Sequence, residues 1–166
     1  MERLKIISLC ILAAVTYGVA HDLVTTRVCL EYFTIFHPPV LHATHSPTLL
    51  ALAWGVIATW WVGLLLGIPL SIVARSGSRP PLSAIDLAPM LGTLVLIMAC
   101  CATIAGVIGY RWGIVPVFVA GILPRHVHHR FMADWWAHLA SYGSGLMGGI
   151  ALSAIAYSKR RRIPIV

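Results

Sequence analysis

Four long apolar stretches constrain the fold of this chain more than any other feature. They cover about residues 4–20, 48–73, 87–110 and 136–157. A hydrocarbon core of about 30 Å needs about 20 apolar residues in a helix, so such stretches can cross a bilayer. Only 10% of the residues are charged, against about 25% in a soluble domain. The sequence therefore predicts an all-α polytopic membrane protein, one domain over residues 1–166 with four transmembrane helices in a bundle.

The basic residues indicate membrane orientation rather than nucleic-acid binding. The net charge is +7, but lysine and arginine form no stripe interleaved with aromatic residues. If the N-terminus is inside, eight basic residues lie on the cytoplasmic side: Arg3, Lys5, Arg75, Arg79, Lys159, Arg160, Arg161 and Arg162. Four lie outside: Arg27, Arg111, Arg125 and Arg130. The positive-inside rule favours this arrangement, so we expect both termini in the cytoplasm.

The first stretch has a second interpretation. It is short and basic at its start, and Gly18 and Ala20 form a small-x-small pattern typical of a signal-peptide cleavage site. We favour a membrane anchor, and the cleaved signal peptide stays open as the alternative.

Local signals mark where helices begin and end near the second stretch. Ser46 can cap a helix whose first position is Pro47. Pro38 and Pro39 disfavour helix in the residue before them, so any preceding helix should end at about His37.

Histidines and carboxylates collect on one side of the predicted membrane, in the outer segments 21–46 and 111–138. The eight histidines are His21, His37, His42, His45, His126, His128, His129 and His138. Three of the five acidic residues, Asp22, Glu31 and Asp134, join them. Ionisable groups are costly near lipid and usually mark a functional site there. Imidazole and carboxylate together suit zinc, iron or manganese, so these segments predict a metal site.

Spacing sharpens the prediction. Asp134 and His138 are four residues apart, so they share one helical face, which Ser141 and Tyr142 continue. Asp22 and Glu31 are nine residues apart, half a turn out of phase on a straight helix. Either the helix breaks between them or they serve different centres.

Other patterns are less specific. The run RHVHHR over residues 125–130 departs from the HxxHH boxes of membrane fatty-acid hydroxylases, and the chain lacks HExxH. Whether His42, His45 or the histidines of this run bind metal stays open. Ser141, Gly145 and Gly149 form a small-residue stripe that permits close helix packing, within the bundle or in a homodimer.

Two sequence patterns carry a family resemblance. The early pattern HDxxTxRxCxEYFxxxHPP covers residues 21–39, and the late pattern DxWAHxxSY covers residues 134–142. The chain resembles small bacterial four-span integral membrane proteins that carry both. This resemblance implies a multi-pass protein of the bacterial inner membrane, with a metal site facing the periplasm and a dimeric state. In ligand type alone the chain also resembles carboxylate-bridged dimetal proteins, although their paired Glu-x-x-His signature is missing.

We favour a dinuclear site, holding two iron ions per chain, with redox activity at the outer face. Zinc and manganese are the alternative ions. The predicted ligands are His21, Asp22, Glu31, His37, Asp134 and His138, with Asp22 either a ligand or a group that orients an imidazole. The candidates for tuning the site or relaying electrons are Cys29, Tyr32 and Tyr142. Membrane lipid surrounds the protein, and the sequence names no electron partner or substrate.

Two other functions stay open. One is a zinc-dependent hydrolase of a lipid-like substrate, with Asp22 or Glu31 as general base. The other is a haem-binding or metal-handling protein. Bis-histidine haem needs facing histidines within the spans, and no predicted span interior contains one, so haem ranks last.

Overall fold

A computed structural model describes residues 1–39, 41 and 44–162. These residues form helices joined by short connections, with no strand in the ranges described. The helices are α1 (Glu2–Val28), α2 (Leu30–Ile35), α3 (Pro47–Ile57), α4 (Trp60–Arg75), α5 (Ala84–Trp112), α6 (Val117–Ile122) and α7 (His128–Arg162). A single 3-10 turn, Arg125–Val127, leads into α7.

Among the described residues, four elements are long and apolar enough to cross a membrane: Glu2–Val28, Pro47–Arg75, Ala84–Trp112 and Arg125–Arg162. The second combines α3 and α4, which a short interruption at Ala58 and Thr59 separates. The prediction of an all-α, four-span membrane protein is confirmed. Ser46 also caps α3 as predicted, because its side chain accepts a hydrogen bond from the Leu49 amide at 3.4 Å.

The spanning elements pack as two close helix pairs. In one pair α1 lies against α3 and α4, and in the other α5 lies against α7. Contacts of α1 with α5 and of α4 with α7 join the pairs. We call the boundary between the pairs the seam.

One end of the bundle is rich in basic residues, and we call it the basic end. The buried Arg160 guanidinium of α7 donates hydrogen bonds to the carbonyl oxygens of Val73, Arg79 and Pro80. On α1, Glu2 accepts a hydrogen bond from the amide of Ala84 at the start of α5. These bonds tie together the termini of α1, α4, α5 and α7, so the opposite end carries the histidines of the outer segments.

The first helix runs farther than its predicted span of 4–20. No proline or glycine interrupts residues 21–28, and local side chains return to the backbone there. Thr25 and Thr26 donate hydrogen bonds to the carbonyl oxygens of His21 and Asp22, at 3.2 and 2.6 Å. The helix stops at Cys29, whose backbone is extended. His21 and Asp22 therefore lie on the spanning helix itself and not in a loop.

The fourth spanning helix likewise begins earlier than predicted, at His128 instead of about residue 136. Asp134 and His138 are consequently well inside α7 and both are buried. On the same face Ser141 is buried, and a Cβ on Gly145 or Gly149 would contact Met98 or Leu66. The small-residue stripe therefore serves packing within the bundle, and the homodimer stays a prediction.

Candidate metal centre

Three side chains from two helices meet across the seam. His21 and Asp22 come from α1 and His138 comes from α7, and one donor atom of each lies within 4.8 Å of the others. Nε2 of His138 is 3.4 Å from Oδ1 of Asp22. Two ligands of one tetrahedral ion, each at about 2.1 Å from it, are ~3.4 Å apart. The group could therefore hold a metal ion after small side-chain adjustments.

His21 contributes a free donor atom to this group. Its Nε2 is buried and has no hydrogen-bond partner among the described residues. Its ring packs edge-on against the His138 ring, with the centroids 4.6 Å apart and the planes at 81°. A buried imidazole nitrogen without a partner is costly, and a metal ion is one way to satisfy it.

Asp134 lies behind the His138 ring rather than beside its Nε2. Nδ1 of His138 is 2.9 Å from the carbonyl oxygen of Asp134 and 2.8 Å from its Oδ1. The carbonyl contact has hydrogen-bond geometry, but neither carboxylate oxygen accepts a hydrogen bond from the described residues. The carboxylate is fully buried. This arrangement keeps the Nδ1 proton on that side of the ring and leaves Nε2 free for a ligand.

The other two predicted ligands have different partners. Oε2 of Glu31 accepts a hydrogen bond from the Cys29 thiol at 3.6 Å, and the three-residue group does not include Glu31. His37 borders the same cavity as His21 and His138, but its Nδ1 donates to the carbonyl oxygen of Tyr32 at 2.9 Å. Burial lowers the pKa of His37 below its usual value, so the ring is neutral at pH 7.

Tyrosine side chains surround the three-residue group. Two of them, Tyr32 and Tyr142, are candidates from the sequence for tuning the site or relaying electrons. The Tyr32 ring lies 4.7 Å from the His138 ring, centroid to centroid, and burial raises the pKa of its phenol. Tyr142 borders the cavity with His138. Sequence reasoning missed Tyr17, whose hydroxyl hydrogen-bonds Ser141 at 2.6 Å across the seam. The sequence did contain a signal for Tyr17, because this residue precedes His21 by four positions and therefore lies on the same face of the helix.

The remaining histidines lie outside the three-residue group. His128 and His129 contact the carbonyl oxygens of Leu123 and Tyr110, each at 2.9 Å. His126 is exposed. The RHVHHR run therefore supports the turn into α7. His42 lies outside the described residues, and His45 is described but does not join the group.

Cys29 is a packed thiol. It is fully buried against Val119, Val127 and Phe131, and desolvation raises its pKa to about 12. The thiolate is the reactive form, so we expect alkylation in the native protein to be about 1000-fold slower than for an ordinary cysteine. Mass spectrometry after iodoacetamide treatment measures this, with unfolded protein as the control. Rapid native modification of Cys29 would contradict the packing described.

Comparison with known proteins found no relative of this chain. No protein family, no curated protein and no solved structure matches the chain at a significant level. The resemblance to small bacterial four-span proteins therefore stays a prediction that rests on the two sequence patterns. What the fold and the site define is a membrane protein with a buried histidine–aspartate group that could hold a metal ion.

Proposed function

We propose that the protein is a membrane metalloenzyme of the redox class, in which His21, Asp22 and His138 hold one iron ion. The observation that carries this proposal is that one donor atom each of His21, Asp22 and His138 gathers within 4.8 Å, while Nε2 of His21 is buried without a partner among the described residues. Three ligands leave coordination positions open for a substrate or oxidant. Asp134 would hold the His138 ring in the orientation that presents Nε2.

Two histidines and one carboxylate with open positions form the ligand set of non-haem iron(II) oxygenases. The same set occurs in zinc hydrolases, which also need a general base beside the ion. In the described chain, Asp134 faces the His138 ring and Glu31 bonds the Cys29 thiol. Because no further carboxylate is placed to activate water, redox chemistry is favoured over hydrolysis.

Bis-histidine haem fits less well. His21 and His138 do lie in spanning helices, unlike the sequence-based expectation that no span interior carries a histidine. Their ring centroids are only 4.6 Å apart. Two axial histidines lie on opposite faces of a haem, and this spacing leaves no room for the macrocycle.

The geometry supports one ion better than two. The three gathered donors suffice for a single ion with open positions, the Glu31 carboxylate bonds the Cys29 thiol, and Asp134 lies on the Nδ1 side of the His138 ring. The dinuclear site stays a prediction. Metal analysis of purified protein, combined with optical spectra under oxidising and reducing conditions, tests both number and identity. We expect one iron per chain and a redox-dependent spectrum; one colourless zinc would support the hydrolase, and a Soret band would support haem.

The role of Asp134 gives a separate prediction. Asp134→Asn keeps the size of the side chain but removes the charge that faces Nδ1 of His138. Loss of such an orienting carboxylate typically lowers metal affinity by about 10–100-fold. Competitive titration with a coloured chelator measures the change. Unaltered affinity would mean that Asp134 does not orient the imidazole, and complete loss would indicate that it is itself a ligand.

We also propose that the basic end faces the cytoplasm and the metal centre faces the periplasm of a bacterial inner membrane. Support comes from the eight basic residues at one end, four of them in the run Lys159–Arg162. A green fluorescent protein fused after residue 166 should fluoresce, and alkaline phosphatase fused there should be inactive. Fusion at Gly113, between α5 and α6, should give the opposite pair of results. Active phosphatase at the C-terminus would reverse the orientation.

A further inference from the structure

Two cavities meet along the seam. The outer cavity is bordered by His21, Asp22 and His138 together with aromatic side chains. The inner cavity extends from there toward the basic end. Both are bordered by Ala14, Tyr17, Val62, Met98 and Gly145, so they adjoin.

The two cavities differ sharply in chemistry. The inner one is walled by aliphatic and other apolar side chains, such as Leu66, Leu94 and Leu152, with the Tyr17 hydroxyl at its outer limit. The outer one presents imidazole, carboxylate and hydroxyl groups, including those of Ser141 and Tyr142. Of the residues that the structure describes, no lysine or arginine borders either cavity. A ligand matched to both would have a polar head without negative charge and a hydrocarbon tail.

The position of the cavities explains how such a ligand would be held. The walls come from both helix pairs: Cys10 and Ala13 on α1, Gly63 and Leu66 on α4, Leu91 and Val95 on α5, and Gly149 on α7. The inner cavity lies within the spanning elements, whose outer surfaces face lipid. A tail that leaves the bilayer for this cavity exchanges one apolar environment for another, so specificity has to come from the head group.

We propose that the seam binds a lipid-soluble molecule with one hydrocarbon tail and an uncharged, oxygen-bearing head, such as a quinone ring or an aliphatic alcohol. The head lies at His21, Asp22 and His138, and the tail lies in the inner cavity. This inference rests on the proposed function for the role of the head group. The inference assigns lipid-soluble molecules with an uncharged head as the class of substrate for the proposed metal centre.

The test uses the full-length protein in lipid nanodiscs and a dodecanol probe that carries a photoactivatable diazirine near its tail end. Mass spectrometry should map the crosslinks to residues of the inner cavity. A decyl-substituted benzoquinone and unlabelled dodecanol should compete at least tenfold better than the methyl-substituted benzoquinone or dodecyl phosphate. The better of the two competitors identifies the head as quinone or alcohol. Equal competition by dodecyl phosphate, or by the quinone without a tail, would overturn the proposal.

Two variants fill the space that the tail would occupy, and a third variant serves as the matched control. Ala14→Phe fills the junction of the cavities, and Val95→Phe fills the inner one. Each should lower crosslinking at least tenfold and leave metal content unchanged. Ala99→Phe adds the same ring to the lipid-facing side of α5 and should change neither. If either well-folded cavity variant crosslinks like the wild type, the proposed cavity is not the tail site.

Metal content of the same samples separates the two proposals. Tail-dependent binding in protein without metal would refute the metalloenzyme and leave the cavity assignment intact. One metal ion per chain with no tail-dependent binding would refute the cavity assignment alone.

Discussion

Replacing His138 with alanine is expected to lower metal affinity by at least about 100-fold, more than the loss of an orienting group costs. The variant removes the Nε2 donor, which lies 3.4 Å from the Asp22 carboxylate. His21→Ala and Asp22→Asn should have effects of the same size, because each removes one of three ligands. Equilibrium titration of the metal-free protein, followed by metal analysis after dialysis, measures the loss.

The control for these variants is His126→Ala. His126 is at the same end of the bundle but is exposed and outside the three-residue group. It should bind metal like the wild type. Because His138→Ala also leaves the buried Asp134 carboxylate without its imidazole neighbour, thermal unfolding must be recorded alongside. Full metal binding by folded His21→Ala protein would contradict the assignment.

The second large effect concerns the packing of α1 against α3. A Cβ on Gly55 would lie 2.6 Å from both the Cα and the backbone nitrogen of Val19. Backbone atoms cannot turn away as a side chain can, so the helices would have to separate. We expect Gly55→Ala to destabilise the protein by about 1–3 kcal/mol, the usual cost of overpacking. The shift also displaces α1, and with it His21 and Asp22.

Gly92→Ala provides the matched comparison, because a Cβ there meets nothing within 4 Å. Alanine has the higher helix propensity, so this variant should be as stable as the wild type or slightly more stable. Unfolding in mixed micelles with increasing denaturing detergent compares the two. If Gly55→Ala unfolds at the same point as Gly92→Ala, the close approach of α1 and α3 is absent.

The sequence predicted the four spans because long apolar runs have one physical solution in a bilayer. It also predicted either a break in the helix between Asp22 and Glu31 or two different centres, since nine residues place them on opposite faces of a straight helix. The structure has this break at Cys29. The two polar segments were expected to meet, and the contact of Asp22 with His138 joins them.

The roles of the carboxylates could not be predicted in the same way. Asp22 and Asp134 are both acidic residues near a histidine, and sequence spacing makes Asp134 the natural partner of His138. Which acid faces Nε2 and which faces Nδ1 depends on the rotation of α1 relative to α7. Glycine contacts such as Gly18 against Thr59 and Gly55 against Val19 fix how α1 packs on the second spanning element, and no local pattern specifies them.

The helix boundaries in the structure also place the site differently from the prediction based on hydropathy. Hydropathy located the ends of α1 and α7 where apolar residues stop, although the helices continue through His21, Asp22 and Asp134. On α1 the polar residues stay helical because no proline or glycine interrupts residues 21–28 and because Thr25 and Thr26 donate hydrogen bonds to the preceding turn. The candidate centre is consequently part of the rigid bundle rather than of its loops.

Anomalous X-ray diffraction from crystals of iron-loaded protein, recorded at the iron absorption edge, tests most directly whether His21, Asp22 and His138 hold the ion. We predict one peak per chain, at about 2.0–2.2 Å from a ring nitrogen of His21, Nε2 of His138 and a carboxylate oxygen of Asp22. Asp134 should contact Nδ1 of His138 and not the ion. A peak at the exposed His126 instead, or no peak in protein that retains iron in solution, would contradict this prediction.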